Sequence, residues 1–345
     1  MAEKKGLQGR KRYFLILIGI GVLVVLVFWA NPASVYESFK NADLTLVLIA
    51  VLLNVSTIIV MLARWIILYQ KEAPQVPYLD SCKIYVIGQA TNQVAPMGSG
   101  EIARGWIGLK VFKVHFSKTL VAAVIERMVD ILFFLILAMI CFTIFIPGAQ
   151  FILQMIIFLI FAALGIIFVL RPQTMDGLFL KLQKLFEDRG KFLSKISTKL
   201  IASWETFKSS MYSYHQRKPT LFATGALTVI IWMMDGVTQF VLFRAFGIYI
   251  PYYYVLGIAS ASFIIGALSF LPGGIGAREG SFAYLTALVI HSITSMGFAE
   301  GKAVGLAVAL AYKSIVYIVM ALNAAVALAT LPKIKDDDNG KKTSK

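Results

Sequence analysis

The chain has 345 residues, of which 59% are apolar and only 15% are charged. A soluble globular domain carries about 25% charged residues and about 45–50% apolar residues with glycine included, so this composition argues against a soluble enzyme. It also argues against a disordered protein, and two cysteines, Cys82 and Cys141, are too few for a disulfide framework. The net charge of +15 takes its meaning from its distribution along the chain.

Apolar segments long enough to cross a bilayer recur along the sequence. A hydrocarbon core of about 30 Å requires about 20 apolar residues in a helix. Basic residues precede the first segment, but its long apolar run lacks a small-residue cleavage site, which favours an uncleaved helix over a signal peptide. We therefore predict an all-α polytopic membrane protein with about six full transmembrane helices, over residues 13–30, 44–69, 119–146, 151–170, 220–243 and 303–331.

The basic residues predict the orientation, because cytoplasmic loops retain lysine and arginine. Residues 1–12 are basic, and residues 171–219 carry ten Lys or Arg against four Asp or Glu. With six crossings, both of these segments and the charged tail 332–345 fall in the cytoplasm of a bacterial-type cell with an inner membrane. Segment 171–219 mixes lysines with apolar residues, which predicts an amphipathic cytoplasmic segment on anionic lipid rather than a solvated linker. It separates a first membrane half, 13–170, from a second, 220–331.

Two moderately apolar segments, 79–113 and 252–291, are each broken by proline and glycine near the middle. Non-helical backbone at membrane depth is tolerated only where it is buried in protein or lines a wet cavity. We predict a re-entrant hairpin for each segment, although residues 252–291 could instead form two full crossings. Either arrangement returns the chain to the side that it left.

Aligning the two broken segments at proline indicates an internal repeat. Pro96 precedes Gly100 by four residues, as Pro272 precedes Gly276, and charged residues follow both glycines. Three crossings separate the segments, so the two hairpins would open to opposite sides as an inverted repeat. Paired Gly/Pro-broken segments in opposed halves are typical of a transporter's binding site. The alternative is that each is a tight loop that connects helices.

The chemistry of these breaks favours an anion, and we predict a lipid phosphate. A helix that begins after a break presents unpaired N–H groups and the positive end of its dipole. Arginine adds a planar donor fork for phosphate, and glycine allows close approach to the backbone. The predicted phosphate-binding residues are Arg104, Arg278, Gly98, Gly100, Gly274 and Gly276, and Glu101 and Glu279 would orient the arginines or contact a cationic head group.

Charged residues also lie inside the apolar crossings, where each costs at least about 2.5–3.5 kcal/mol at the bilayer centre. They should face the bundle interior, either as buried ion pairs or as proton-coupling groups. Arg64, near the end of the second crossing, is predicted to extend to the lipid head groups. The residues predicted to pair or to couple are Glu126, Arg127, Asp130, Asp235 and Lys313.

Four motifs carry a resemblance to a known family: NQVAPMGSGEIARGWIGLK, the following ERMVD, the later WMMD, and LPGGIGAREGSF. In these residues the chain resembles the flippase-like family named after the transmembrane region of lysylphosphatidylglycerol synthase, also found in multiple peptide resistance factors. The likeness covers roughly residues 10–332. It implies an inner-membrane protein with inverted repeats, related to proteins that translocate aminoacylated phospholipid or are linked to polyprenyl-phosphate glycolipids. It also implies that Glu101, Arg104, Arg278 and Glu279 lie near the lipid path, and that lipid aminoacylation requires a further domain.

The leading hypothesis is a transporter that moves a phosphate-bearing lipid between leaflets, with membrane lipids as partners and no nucleic acid. The three histidines are scattered and no metal-binding motif occurs, so neither a metal nor another cofactor is expected. One rival is a membrane transferase acting on polyprenyl phosphate, with Glu101 or Glu279 as base. The other is a non-catalytic subunit of a lipid synthase. A homodimer or a partner enzyme is compatible with each hypothesis.

Overall fold

The computed structural model describes residues 32–95, 98–145, 160, 173, 176–177, 204–214, 216–269 and 271–332. Regular secondary structure within these residues is entirely helical. The predicted crossing 13–30 and all but one residue of 151–170 lie outside the described residues, as do most of 171–219 and nearly all of the tail. The α-helices with defined bounds are α1 Pro32–Lys40, α2 Leu44–Glu72, α3 Tyr78–Val94, α4 Ser99–Phe112, α5 Phe116–Phe145, α6 Lys218–Ala245, α7 Tyr252–Leu268, α8 Ala277–Ile293 and α9 Phe298–Thr330.

Three of the described helices, α2, α6 and α9, are long and apolar enough to cross a membrane. They contain the predicted crossings 44–69 and 220–243 and nearly all of 303–331. Helix α2 begins at Asp43, whose carboxylate accepts hydrogen bonds from the backbone N–H groups of Thr45 (2.8 Å) and Leu46 (3.3 Å). Helix α6 has proline in its first turn, where no intrahelical N–H partner is lost. Helix α5 has 30 residues and contains the charged ERMVD motif.

The two broken segments are pairs of consecutive, packed helices: α3 with α4, and α7 with α8. Each break begins where a residue precedes proline, because proline disfavours the helical conformation of its predecessor. Ala95 (φ −125°, ψ 163°) and Leu271 (φ −73°, ψ 149°) are both extended. Each following helix is capped by a glycine in the left-handed region, Gly98 (φ 86°) and Gly276 (φ 88°), which glycine adopts without steric cost. A short 3-10 turn, Pro272–Gly274, lies within the second break.

The two halves pack in the same order around a central pair formed by α2 and α6. Helix α2 contacts α3 as α6 contacts α7, and α4 contacts α5 as α8 contacts α9. The halves also cross over, because α5 packs on α7 and α9 packs on α3. Each of the helices α2 to α5 therefore has a counterpart with equivalent neighbours among α6 to α9.

The breaks of the two helix pairs meet inside the bundle. Tyr317 donates a hydrogen bond to the Gln93 carbonyl oxygen at 3.3 Å, and a Cβ added to Gly273 would lie 2.8 Å from the same oxygen. Lys83, near the start of α3, binds the Thr330 carbonyl oxygen at 2.9 Å at one end of the bundle. The backbone bond from Asp43 to Ala245, 2.8 Å long, lies at the other end of α2 and α6.

Part of the predicted amphipathic segment, residues 204–214, is helical and packs against the first half. Its buried side chains are Trp204, Phe207, Met211 and Tyr214, and the Tyr214 hydroxyl donates to the Leu68 carbonyl oxygen at 2.6 Å. This stretch therefore turns its apolar face to protein. The apolar residues of 178–186, on which the lipid-surface prediction rested, lie outside the described residues.

Candidate functional site

The helix caps define the correspondence between the two breaks. Gly98 caps α4 and Gly276 caps α8, and in each helix the third residue after the cap is a glutamate: Glu101 and Glu279. The predicted alignment at proline is therefore displaced by two residues, because three residues separate Pro272 from Gly276 and only one separates Pro96 from Gly98. In the cap register the two glutamates are equivalent, and the two predicted arginines are not.

Both glutamates pair with a cation on the following long helix. Glu101 accepts a hydrogen bond from Arg127 Nε at 2.8 Å, and Glu279 Oε1 lies 3.5 Å from Lys313 Nζ. Glu279 Oε2 also accepts the backbone N–H of its own cap residue, Gly276, at 2.6 Å. Both carboxylates are buried, so each serves a contact within the protein.

Glu126 on α5 is the centre of a buried network of charges in the first half. Its carboxylate lies 2.6 Å from Arg64 Nη2 and 2.8 Å from Arg104 Nη1, and it accepts the Tyr85 hydroxyl at 3.1 Å. The relative exposure of the Arg64, Arg104 and Glu126 side chains is 2%, 0% and 0%. The prediction that Arg64 extends to the head groups is wrong, because two carboxylates hold it inside the bundle.

Asp130, one turn after Glu126, completes this network. It lies 2.6 Å from Arg64 Nη1 and 3.6 Å from Arg127 Nη1, and it accepts the indole N–H of Trp232 at 2.9 Å. With Arg104, Glu101 and Glu126, the network contains three arginines and three carboxylates. The first cluster, as we name these six residues, is thus formally neutral: Arg64, Glu101, Arg104, Glu126, Arg127 and Asp130.

Arg104 is enclosed by aromatic rings and by the neighbouring helix. Its guanidinium carbon lies 4.8 Å from the Trp65 ring centroid and 4.3 Å from that of Tyr85. A side chain at Gly88 would collide with it, so this glycine makes the space that Arg104 fills. Because Arg104 has no exposed surface and its Nη1 is paired with the Glu126 carboxylate, it makes its ion pair inside the protein.

The four predicted glycines lie in different surroundings. A Cβ at Gly98 would meet no atom within 4 Å, whereas one at Gly100 would collide with the Gly88 carbonyl oxygen and with Asn92. Gly274 packs on the backbone of α7, and Gly276 is the cap described above. Close approach of helices explains Gly100 and Gly274, while Gly98 leaves open space at the α4 N-terminus.

Arg278 on α8 has an open environment, unlike Arg104. Within the described residues no carboxylate lies within 4 Å of its guanidinium, which stacks instead near the rings of Tyr312 (5.2 Å) and Phe263 (5.5 Å). Its side chain is half-buried and lines two small cavities, each with about 10 Å³ of space for the centre of a water-sized molecule. Arg278 therefore presents its positive charge to these two cavities rather than to a carboxylate.

The first of these cavities lies where α5 of the first half meets α6, α7 and α8 of the second. Its polar lining includes Arg278, Asp235 and Ser260, and the remaining walls are mainly aromatic and aliphatic. A space of about 10 Å³ holds about one water molecule, so a lipid head group enters it only if the surrounding side chains move apart. The apolar side chains that line it are Phe133, Phe134, Leu137, Leu256, Ala259 and Phe263.

Asp235 on α6 has neutral partners, unlike the carboxylates of the first cluster. One carboxylate oxygen accepts the Tyr312 hydroxyl, and the other accepts Gln239 Nε2 at 2.7 Å. In the part of the chain that the structure describes, no lysine or arginine lies within 4 Å of it. Asp235 and Arg278 thus line one cavity without forming an ion pair.

Lys313 on α9 attaches the second break to the long helix. Its ammonium group donates to the Gly273 carbonyl oxygen at 2.5 Å, lies 3.5 Å from Glu279 and is 5.1 Å from the Tyr317 ring centroid. We name five residues of the second half the second cluster: Asp235, Arg278, Glu279, Tyr312 and Lys313. Lys313 and Glu279 bind backbone groups of the second break, at Gly273 and Gly276.

Sequence reasoning missed several polar residues that organise these clusters. Tyr312 precedes the predicted Lys313, and Gln239 follows the predicted Asp235 by one helical turn, so adjacency was the available signal. Tyr85, Trp232 and Thr228 bind the first cluster from other helices. Only the fold brings those three side chains to the charges.

Comparison with known proteins supports the resemblance carried by these motifs. The chain is 24% identical over 283 residues to a UPF0104 membrane protein of Pyrococcus horikoshii, covering 78% of this chain and 84% of that protein. Two UPF0104 membrane proteins of Methanothermobacter thermautotrophicus are 22% and 23% identical and cover 78% and 81% of this chain, and 83% and 84% of their own lengths. No solved structure matches the chain. Residues 16–324 match the family described as Lysylphosphatidylglycerol synthase TM region, and the chain belongs to this family of membrane proteins.

Proposed function

We propose that the protein translocates a phosphate-bearing lipid between the leaflets of the membrane and is a transporter rather than an enzyme. The observation that carries the proposal is the cavity between α5, α6, α7 and α8, to which Arg278 presents a guanidinium without a carboxylate within 4 Å among the described residues. A guanidinium in such a place can donate two parallel hydrogen bonds to phosphate oxygens. The apolar walls of the cavity suit the adjoining lipid chains.

In this proposal the phosphate binds at Arg278, and Arg104 belongs to the first cluster. The distinction rests on charge, because Glu126 already neutralises Arg104 whereas Arg278 faces aromatic rings. The glutamates Glu101 and Glu279 keep the basic residues of the long helices beside the two breaks. Gly98 and Gly276 are the caps whose helices begin at those breaks.

We further propose that the helix pairs are re-entrant hairpins of an inverted repeat. Two observations support this arrangement: the equivalent packing of the halves, and the contact between Gln93 and Gly273 where the breaks meet inside the bundle. Helices of 17 residues reach only about 25 Å at 1.5 Å per residue, less than a hydrocarbon core of about 30 Å. Paired breaks that enter from opposite leaflets would form a transport site near the midplane.

The transport proposal is tested in vesicles of phosphatidylcholine that contain a fluorescent phosphatidylglycerol, whose outer-leaflet share is measured by chemical quenching. We expect Arg278→Ala to slow translocation about 10- to 100-fold, since a hydrogen bond to a charged group contributes about 1.5–3 kcal/mol. Arg244→Ala is the matched control, because Arg244 also stacks on aromatic rings but does not line the cavity. We expect this control to stay within about twofold of the wild-type rate.

Three outcomes would contradict the transport proposal. Equal rates in empty and protein-containing vesicles would remove the activity, and an unchanged rate for Arg278→Ala would remove the assigned phosphate contact. Uptake of radiolabelled inorganic phosphate by the same vesicles, without lipid movement, would make the chain a transporter of a soluble anion. Transfer of a radiolabelled sugar to polyprenyl phosphate by the purified chain would favour an enzyme.

The re-entrant arrangement predicts which side of the membrane each hairpin base faces. A membrane-impermeant maleimide is added to inverted and to right-side-out vesicles. Single cysteines that replace Tyr78 and Lys110, at the outer ends of α3 and α4, should both react in the same one of the two vesicle orientations. Cysteines replacing Tyr253 and Ile293, at the outer ends of α7 and α8, should react from the other face. Labelling of Tyr78 and Lys110 positions from opposite faces would instead indicate two full crossings. The background for these variants replaces Cys82 and Cys141 with serine.

A further inference from the structure

We infer that Tyr312 is a positioning residue that keeps the anion site open, by holding Asp235 away from Arg278. The inference rests on the proposed phosphate contact at Arg278 and specifies what makes that contact possible. Tyr312 lies between the two charged residues: its hydroxyl donates to the Asp235 carboxylate, and its ring lies beside the Arg278 guanidinium at 5.2 Å. The phenol therefore contacts both groups at once.

At the position equivalent to Tyr312, the first half has a carboxylate, Glu126, instead of a phenol. The cations that pair with Glu101 and Glu279 are Arg127 on α5 and Lys313 on α9. The residue immediately before the cation is Glu126 on α5 and Tyr312 on α9. Each of these preceding residues also reaches the central pair, since Glu126 contacts Arg64 on α2 and Tyr312 contacts Asp235 on α6. A carboxylate at this position neutralises the nearby arginine, whereas a phenol does not.

Asp235 is the carboxylate that could neutralise Arg278, and its hydrogen bonds explain why it does not. A buried carboxylate requires donors or a counter-charge, because an unpaired buried charge is strongly unfavourable. Tyr312 and Gln239 supply one donor to each of the two oxygens of Asp235. These donors satisfy the carboxylate at a place from which it lines the cavity without contacting the guanidinium. Among the described residues, no carboxylate therefore lies within 4 Å of the Arg278 guanidinium to compete with an incoming phosphate.

Removing the hydroxyl alone should close the site. In Tyr312→Phe the ring beside Arg278 is retained, but one Asp235 oxygen loses its donor. The nearest unneutralised cation among the described residues that line this cavity is Arg278. Pairing of Asp235 with Arg278 would then compete with phosphate for the same N–H groups. We expect translocation of fluorescent phosphatidylglycerol in phosphatidylcholine vesicles to fall about tenfold, the lower range for a charged hydrogen bond.

The double variant Tyr312→Phe/Asp235→Asn distinguishes positioning from a structural role. An amide at residue 235 has no charge with which to neutralise Arg278, so we expect the double variant to translocate lipid severalfold faster than Tyr312→Phe alone. A role of Tyr312 in packing alone would not be reversed by this second change. Tyr284→Phe is the control, because Tyr284 also lies against an aromatic ring but is exposed and outside both cavities.

A second measurement does not depend on lipid transport. Phenylglyoxal modifies accessible arginines, and mass spectrometry of the Arg278 peptide reports its extent in vesicles of phosphatidylcholine alone. We expect Arg278 to react in the wild type, to react severalfold more slowly in Tyr312→Phe, and to react again in the double variant. If this pattern holds but no lipid moves, the transport proposal fails while the role of Tyr312 stands. Equal reactivity in all three proteins, or a double variant that stays unreactive, overturns the role of Tyr312.

Discussion

Replacing Glu126 with glutamine is expected to lower the free energy of unfolding by about 3–5 kcal/mol, the usual cost of removing one partner from a buried ion pair. Glutamine keeps the shape of the side chain but removes the charge that Arg64 and Arg104 share at 2.6 Å and 2.8 Å. The first cluster would then hold three buried guanidinium groups and two carboxylates. Unfolding by dodecyl sulfate in mixed micelles measures the change.

The size of this effect should depend on charge balance, and a second substitution tests that. Adding Arg104→Met to Glu126→Gln leaves two arginines and two carboxylates, so the double variant should be more stable than Glu126→Gln alone. Glu205→Gln is the control, because Glu205 pairs with Lys208 but its own side chain is 59% exposed. This change should alter the free energy of unfolding by less than about 0.5 kcal/mol. Equal stability of the Glu126 and Glu205 variants would contradict the structural role of the cluster.

The sequence was sufficient to predict the helical class and the places where helices break. Apolar length identified α2, α6 and α9, because only an apolar helix satisfies its backbone within a bilayer. Proline and glycine identified both breaks, since their effect on φ and ψ is local: Ala95 and Leu271 are extended and Gly98 and Gly276 have positive φ. The register between the breaks depends on where each following helix is capped, and the glycines at 98, 100, 274 and 276 left more than one alignment open until the caps were located at Gly98 and Gly276.

The partners of the charged residues were less predictable, because partners on other helices are set by packing. Charges inside apolar crossings correctly indicated that buried pairing was possible, yet their positions could not indicate that Glu126 contacts Arg64 rather than its neighbour Arg127. Arg64 lies five residues before the end of the predicted crossing 44–69, a position that favours the head groups, but hydrogen bonds to α5 and α6 hold it inside the bundle. Neutral partners such as Tyr312 carry no charge signal at all.

The second large effect concerns proton coupling, which the sequence assigned to a set of residues that the structure divides. Asp130 is neutralised by arginine at 2.6 Å, whereas Asp235 is bound by a phenol and an amide and lines the cavity. A carboxylate without a counter-charge gains or loses a proton with a full change in the charge of its site. We therefore expect lipid translocation to respond to an imposed pH gradient, and Asp235→Asn to abolish that response.

The test compares translocation of fluorescent phosphatidylglycerol with and without a pH gradient across phosphatidylcholine vesicles. The asparagine variant should still translocate lipid when no gradient is applied, because it leaves Arg278 unneutralised, and its rate should be the same with a gradient of either sign. Thr238→Val is the matched control, since Thr238 is buried on the same helix and its hydroxyl donates to the Met234 carbonyl oxygen of that helix, so the response to the gradient should persist. A gradient response that survives Asp235→Asn would assign coupling to another group. Lys313 would then be the next residue to replace, because it belongs to the same cluster as Asp235 and binds the Gly273 carbonyl oxygen of the second break.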